Sequence, residues 1–123
     1  MPAKILYIED DTSNLRLIYD ILSVAHYEVF LAQSAEEGIQ LAEDLLPDLI
    51  LIDIYLPRIS GIEVIQYLRN QPKTQHLPII GFSAHPEYEK KCLDAGGNLF
   101  LSKPVTRASL LQTISRFIAP SSS

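Results

Sequence analysis

Several short apolar runs in this chain end on residues able to do polar chemistry. Ile5–Ile8 leads into Glu9-Asp10-Asp11, Leu49–Ile52 into Asp53, and Ile79–Phe82 into Ser83, while Leu99–Leu101 runs out to Lys103 and Pro104. If these runs lie side by side, carboxylates, a hydroxyl and an ammonium meet at one edge. Two unit charges about 4 Å apart interact by about 4 kcal/mol at an effective dielectric of about 20, so clustered carboxylates repel unless a cation or a lysine sits among them. Hard oxygen ligands in small number, with water completing the shell, describe a Mg²⁺ site. Plainer readings exist for some of these residues. Asp11 suits the first turn of a helix, where the dipole favours a negative charge. Ser83 and Lys103, each taken alone, would be ordinary strand-end and solvated residues. Asp53 resists such a reading, because it closes the most apolar run of the chain, where an unpaired charge is expensive.

The elements that must position these groups follow from periodicity. The runs Ile5–Ile8, Val29–Ala32, Leu49–Ile52, Ile79–Phe82 and Leu99–Leu101 are short, rich in branched or aromatic residues, and lack a clean in/out alternation. Strands buried on both faces have this character, which predicts a parallel sheet covered by helices. Helical spacing fills the intervals: Leu15, Ile18 and Leu22; Ala35, Ile39, Ala42 and Leu45; Ile62, Ile65 and Leu68; Leu110, Ile114 and Phe117. A shorter, more polar helix is expected over Glu87–Ala95. Ser34…Glu37 and Ser60…Glu63 are capping boxes, and Thr106 is placed to cap the last helix. Pro47, Gly96 and Pro120 stand just beyond the second, fourth and fifth helices. The result is an α/β domain of five βα units, a doubly wound parallel sheet of the flavodoxin-like (βα)5 type. Its expected strand order is 2-1-3-4-5, with the switch point between strands 1 and 3. Ligands of such sheets bind beyond the carboxyl ends of the strands at that point. The polar groups above belong there.

With those positions assigned, the chain resembles the receiver domain of two-component response regulators. The resemblance runs from Lys4 to about Ile118. It rests on Tyr7-Ile8-Glu9-Asp10-Asp11, on Leu51-Ile52-Asp53-Ile54-Tyr55-Leu56-Pro57 with Ser60-Gly61, on Pro78-Ile79-Ile80-Gly81-Phe82-Ser83-Ala84, and on Leu101-Ser102-Lys103-Pro104. Each motif alone is weak; together, in order and at matching strand ends, they are specific. The subtype is similar to the stand-alone, single-domain regulators. The resemblance implies that Asp53 accepts a phosphoryl group from a sensor histidine kinase or a histidine phosphotransfer protein. It further implies that Glu9, Asp10, Asp53 and the backbone carbonyl of Tyr55 hold Mg²⁺, that Ser83 hydrogen-bonds the phosphoryl group, and that Lys103 pairs with it. Phe100 matches the aromatic switch that turns inward when that hydroxyl moves. The family also carries a cis peptide at the position of Lys103–Pro104. Tyr55 and His85 occupy the positions that flank the phosphoryl group and govern its hydrolysis: a bulky Tyr55 would shield it and His85 would order a water, so the lifetime is left open. Output is expected through a downstream protein partner on the face of the fourth helix, fifth strand and fifth helix.

Composition agrees with a signalling domain and excludes other classes. The 123 residues form one domain, read as residues 1–120 followed by a disordered serine tail, Ser121–Ser123. Apolar residues make up 47% and charged residues 20%, which describes a soluble, folded chain. No apolar run approaches the ~20 residues of a membrane span. The early acidic turn of MPAKILYIEDD excludes a signal peptide. Ten basic against fifteen acidic residues, a net charge of −5, is the wrong sign for nucleic-acid binding. A lone Cys92 excludes an internal disulfide, suits a reducing cytoplasm, and reads as a small core residue. His26 stands before strand 2 where a left-handed backbone is expected, and His76 belongs to no motif. Two competing classes are weaker. A Mg²⁺-dependent phosphatase of the haloacid-dehalogenase type wants a second aspartate two residues after the first, where this chain has Tyr55. A docking module that never takes phosphate would not need Glu9, Asp10, Asp53, Ser83 and Lys103 together.

Overall fold

The computed structural model describes residues 2–119. The strands are β1 (Lys4–Ile8), β2 (Glu28–Ala32), β3 (Leu49–Asp53), β4 (Ile79–Ser83) and β5 (Leu99–Ser102). They alternate with helices α1 (Thr12–Val24), α2 (Ala35–Leu45), α3 (Gly61–Arg69), α4 (Glu89–Ala95) and α5 (Arg107–Ser115). All strand pairs are parallel, in the order β2-β1-β3-β4-β5. This is the flavodoxin-like arrangement expected from the alternating runs. Every residue of β3 and β4 is buried, which is why those segments read as unbroken apolar runs. The expected serine tail, and Pro120 as a stop signal, lie outside the described residues.

Helices cover both faces of the sheet. Leu15, Ile18 and Leu22 of α1 and Leu110 and Ile114 of α5 pack on Ile5, Tyr7, Leu49, Leu51, Ile80 and Phe82. Ala35 and Ala42 of α2, Val64, Ile65 and Leu68 of α3, and Cys92 of α4 pack on Leu6, Ile8, Ile50, Ile52 and Ile79. The α3 face is thus rotated from the one expected, with Val64 buried and Ile62 only partly so. Helix α5 stops at Ser115, leaving Phe117 beyond it but still packed on the α1/α5 layer.

The predicted caps form. Ser34 accepts from Glu37 N at 3.1 Å, Ser60 from Glu63 N at 3.3 Å, and Thr106 from Ser109 N at 3.0 Å. Glu37 reaches back one residue further than a capping box requires, to Gln33 N at 2.7 Å. The polar helix is the element that departs most from expectation. Pro86–Tyr88 forms a tight 3₁₀ turn and α4 begins only at Glu89, with no side-chain cap. His26 is left-handed as expected (φ 71°), and Lys103–Pro104 is cis; Leu46 and Arg58 are also left-handed, with no sequence cue to announce it. Gly61 is required by close approach: a Cβ there would collide with the backbone of Asp53 and Ile54. Absence of that Cβ lets the start of α3 sit against the end of β3.

Candidate phosphoacceptor and metal site

The carboxyl edge of the sheet gathers the residues singled out by their positions. In β1 and β3 alternation sends Tyr7 and Glu9, and Leu51 and Asp53, toward the α1/α5 layer, with Tyr7 and Leu51 in register. Glu9 is fully buried, Asp53 nearly so, and Asp10 exposed at the rim. Among the described residues these are the carboxylates brought together: one oxygen from each of Glu9, Asp10 and Asp53 lies within 4.8 Å of the others. Lys103 arrives from the loop after β5 and donates to Glu9 Oε1 at 2.9 Å and to Asp53 Oδ2 at 3.1 Å. The other Asp53 oxygen accepts the Tyr55 N–H at 3.0 Å. Asp11 stays out of the cluster and caps α1, accepting from Asn14 N at 3.1 Å.

Electrostatics follow from that crowding. Burial, reinforced by the neighbouring Asp53, raises the pKa of Glu9 above the ordinary carboxylate value, and Lys103 only partly offsets the effect. Burial works against the Lys103 ammonium, but its bonds to Glu9 and attraction to Asp53 outweigh that, so its pKa stands above the usual value. A buried cluster with more carboxylates than cations favours the arrival of a hard cation. An all-oxygen donor set with an exposed rim for water fits Mg²⁺.

Ser83 is buried at the end of β4, and its Oγ accepts the His85 N–H at 3.0 Å. Phe100 pairs in register with Gly81, two residues before Ser83 and on the same face of the sheet. The ring is 8% exposed, inside the apolar layer with Cys92 and Ile54. Tyr55 and His85 form an exposed wall beside Asp53: their rings are 5.9 Å apart, and His85 meets Tyr88 edge-on at 6.2 Å. Cys92 is a buried core thiol whose pKa burial pushes up to about 11, as a packing role predicts. His76 joins none of these groups.

Tyr7 was not singled out from the sequence as a site residue. Its phenol is 1% exposed and donates to Glu9 Oε1 at 2.9 Å, which with burial raises its pKa above the ordinary phenol value. Its i, i+2 spacing from Glu9 on a strand was the available signal.

Comparison with known proteins agrees with this geometry. The response regulator receiver domain model matches residues 5–115. The polar-differentiation response regulator DivK of Brucella anthropi is 31% identical over 120 residues, covering 96% of this chain and 98% of its own. The chemotaxis protein CheY4 of Vibrio cholerae superposes with a TM-score of 0.90 at 28% identity, covering 96% of this chain and 100% of that one. The receiver domain of the sensor histidine kinase PA1611 from Pseudomonas aeruginosa, solved with a magnesium ion coordinated in its active-site cleft, has a TM-score of 0.88 at 32% identity over 96% of this chain and 98% of that one.

Proposed function

We propose, from the premise that this chain belongs to the response regulator receiver family, that it takes a phosphoryl group on Asp53 from a sensor histidine kinase or histidine phosphotransfer protein. One observation carries the reading: Lys103 bridges Glu9 and Asp53 while the oxygens of Glu9, Asp10 and Asp53 converge within 4.8 Å. In the transfer, an Asp53 carboxylate oxygen forms a bond to phosphorus as the donor's N–P bond breaks, and the departing imidazole keeps the electron pair and takes a proton. Such transfer needs alignment and neutralisation of the equatorial oxygens more than covalent help from the protein. Mg²⁺ held by Glu9, Asp10, Asp53 and the Tyr55 carbonyl would supply part of that charge. Lys103 supplies the rest, and the Tyr55 N–H orients the carboxylate.

Signalling follows from what Ser83 must give up. To reach a phosphoryl group its hydroxyl releases the His85 N–H, the first link of the loop that runs through the Pro86–Tyr88 turn into α4. Helix α4 has only seven residues and no side-chain N-cap, so little holds its start. Phe100, on the strand beside Ser83, adjusts with that loop, and the α4–β5–α5 face changes for a downstream protein partner. The phosphodonor must cover the opposite rim, where Leu17, Ala84, Pro104 and Val105 line an apolar groove next to Lys103. Tyr55 and His85 narrow the approach of water from the α4 side.

Incubation with acetyl phosphate and Mg²⁺, read by intact mass, tests the reading. Wild type gains one phosphoryl group and Asp53→Asn gains none. Equal labelling of the two proteins would move the acceptor elsewhere. In Ser83→Ala, labelling persists, but a beryllofluoride mimic no longer shifts the amide resonances of the α4–β5–α5 face; shifts identical to wild type would exclude the Ser83 route.

A further inference from the structure

Glu9 is the one carboxylate of the proposed metal set that carries an extra rotatable bond, since Asp10 and Asp53 are a methylene shorter. That freedom has to be removed if the residue is to present an oxygen in a fixed place. Its two oxygens are treated unequally. Oε1 accepts both the Tyr7 hydroxyl and the Lys103 ammonium, each at 2.9 Å, whereas among the described residues Oε2 receives just the backbone N–H of Asp11 at 3.4 Å. The two donors to Oε1 differ in stiffness. Lys103 ends a flexible four-carbon stem and divides its ammonium between Glu9 and Asp53. Tyr7 is 1% exposed, and its ring lies edge-on to Phe82 with centroids 6.0 Å apart and planes at 89°. A phenol seated in that way holds its oxygen in a fixed place beside Glu9 Oε1.

Building on the metal-dependent reading above, we propose that Tyr7 is a positioning residue for the divalent cation: its hydroxyl occupies Oε1 and sets the Glu9 carboxylate so that Oε2 is left for the metal. Tyr7 touches neither the cation nor the phosphoryl group and acts through Glu9. Groups that orient a metal ligand in this way change affinity by about 10- to 100-fold when removed.

The test is calorimetric titration of the metal-free protein with Mg²⁺ alone, for wild type, Tyr7→Phe and Tyr27→Phe. Tyr27 is the control, because it is also buried and also spends its hydroxyl on one bond, to the Ile118 carbonyl at 3.2 Å. Tyr7→Phe keeps the ring against Phe82 and should weaken Mg²⁺ binding at least about tenfold, while Tyr27→Phe leaves it unchanged. The same pair is repeated on Glu9→Asp, whose shorter side chain draws away from the phenol; there Tyr7→Phe should change the affinity little. Mg²⁺ affinity equal to wild type in Tyr7→Phe overturns the proposal, even if the metal-free melting temperature falls, because the hydroxyl would then brace only the fold. An equal loss on the Glu9→Asp background overturns it too, since the effect would not pass through the longer carboxylate. If wild type neither binds Mg²⁺ nor is labelled by acetyl phosphate, the metal-site reading fails and this inference with it. Labelling and binding by wild type alongside an unaffected Tyr7→Phe sinks the inference alone.

Discussion

Two polar clusters sit at opposite ends of the sheet, and each is organised around a single cation. At the carboxyl end Lys103 faces Glu9 and Asp53, with Asp10 close by. At the amino end Arg69, the last residue of α3, reaches across to the approaches of β4 and β5. Its guanidinium donates to the carbonyls of Gly96 at 2.9 Å, Gln75 at 3.1 Å and Leu77 at 2.7 Å, and to Asn98 Oδ1 at 2.8 Å. Asn98 Oδ1 also accepts the Ile79 N–H at 2.8 Å, so the clamp holds the first residue of β4. Gly96 at the end of α4 is left-handed (φ 116°), and a Cβ there would strike the Arg69 side chain. The clamp contains no acid: one cation spends its donors on neutral oxygens, which gives charge-assisted bonds without like-charge repulsion. The site contains more acids than cations and is held together under electrostatic tension. Among the described residues neither cluster leaves a buried side-chain polar atom without a partner. Buried side-chain polar atoms are thus partnered in both, and what differs is the charge each cation faces. The clamp, whose cation meets only neutral oxygens, ties α3 to the starts of β4 and β5, whereas the site keeps an excess of carboxylates that the proposed cation would meet.

The sharpest way to test that contrast is to remove the clamp. Arg69→Ala should lower unfolding free energy by about 3 kcal/mol, because several charge-assisted bonds are lost and α3, α4 and β5 come untied. Labelling of Asp53 should persist at temperatures where the variant is folded. Urea unfolding with parallel intact-mass assays measures both. A variant as stable as wild type would mean that the clamp is no more structural than the site.

A pH titration separates the two ends by sign. Tyr7, Lys103 and, in the core, Cys92 all hold their protons more tightly in the folded chain than in the unfolded one. The stability they contribute is complete below their unfolded values and is lost as pH rises. For Cys92 the window runs from 9.0 to about 11. A tenfold difference in proton affinity between folded and unfolded chain is worth about 1.4 kcal/mol, so the loss through Cys92 alone is on the order of 2 kcal/mol. At the other end the direction is opposite: burial lowers the pKa of the Arg69 guanidinium below its ordinary value. Urea unfolding at about pH 8 and about pH 11 should show the decline, and Cys92→Ala should reduce it. Unchanged stability across that range would mean that the folded chain does not hold the Cys92 proton more tightly than the unfolded one.

The smallest effect carries the most diagnostic sign. Asp53→Asn removes a carboxylate from the crowded cluster and leaves Lys103 paired with Glu9. Urea unfolding in Mg²⁺-free buffer should show a gain of about 1 kcal/mol for the variant, and with acetyl phosphate and Mg²⁺ it should take no label. Destabilisation instead would place the site in the same class as the clamp.

Both the elements and the acidic cluster were legible because they obey short-range rules. The run Leu49–Ile52, short, branched and unbroken by polar residues, reads as a strand buried on both faces. Ser34, Ser60 and Thr106 marked helix starts through bonds that span three residues. Once the strand order followed from right-handed crossovers, Glu9, Asp53, Ser83 and Lys103 had to meet at one edge. The flaws in that reading lie where long-range packing outweighs local preference. Val64 rather than Ile62 fills the α3 layer, and the polar segment after Ser83 splits into a turn and a short helix.

Apolar periodicity, caps and chain connectivity were enough to read the parallel sheet, its expected order and the groups at its carboxyl edge from residue types alone. The folded arrangement was needed to bring Tyr7 and Lys103 onto one Glu9 oxygen, with that lysine 94 residues further along the chain than the glutamate. It alone decided that Arg69 ties β4 and β5 to the end of α3. A side chain's hydrogen-bond partner depends on the direction in which packing points it, and that direction is set by contacts across the sheet rather than by neighbours in sequence.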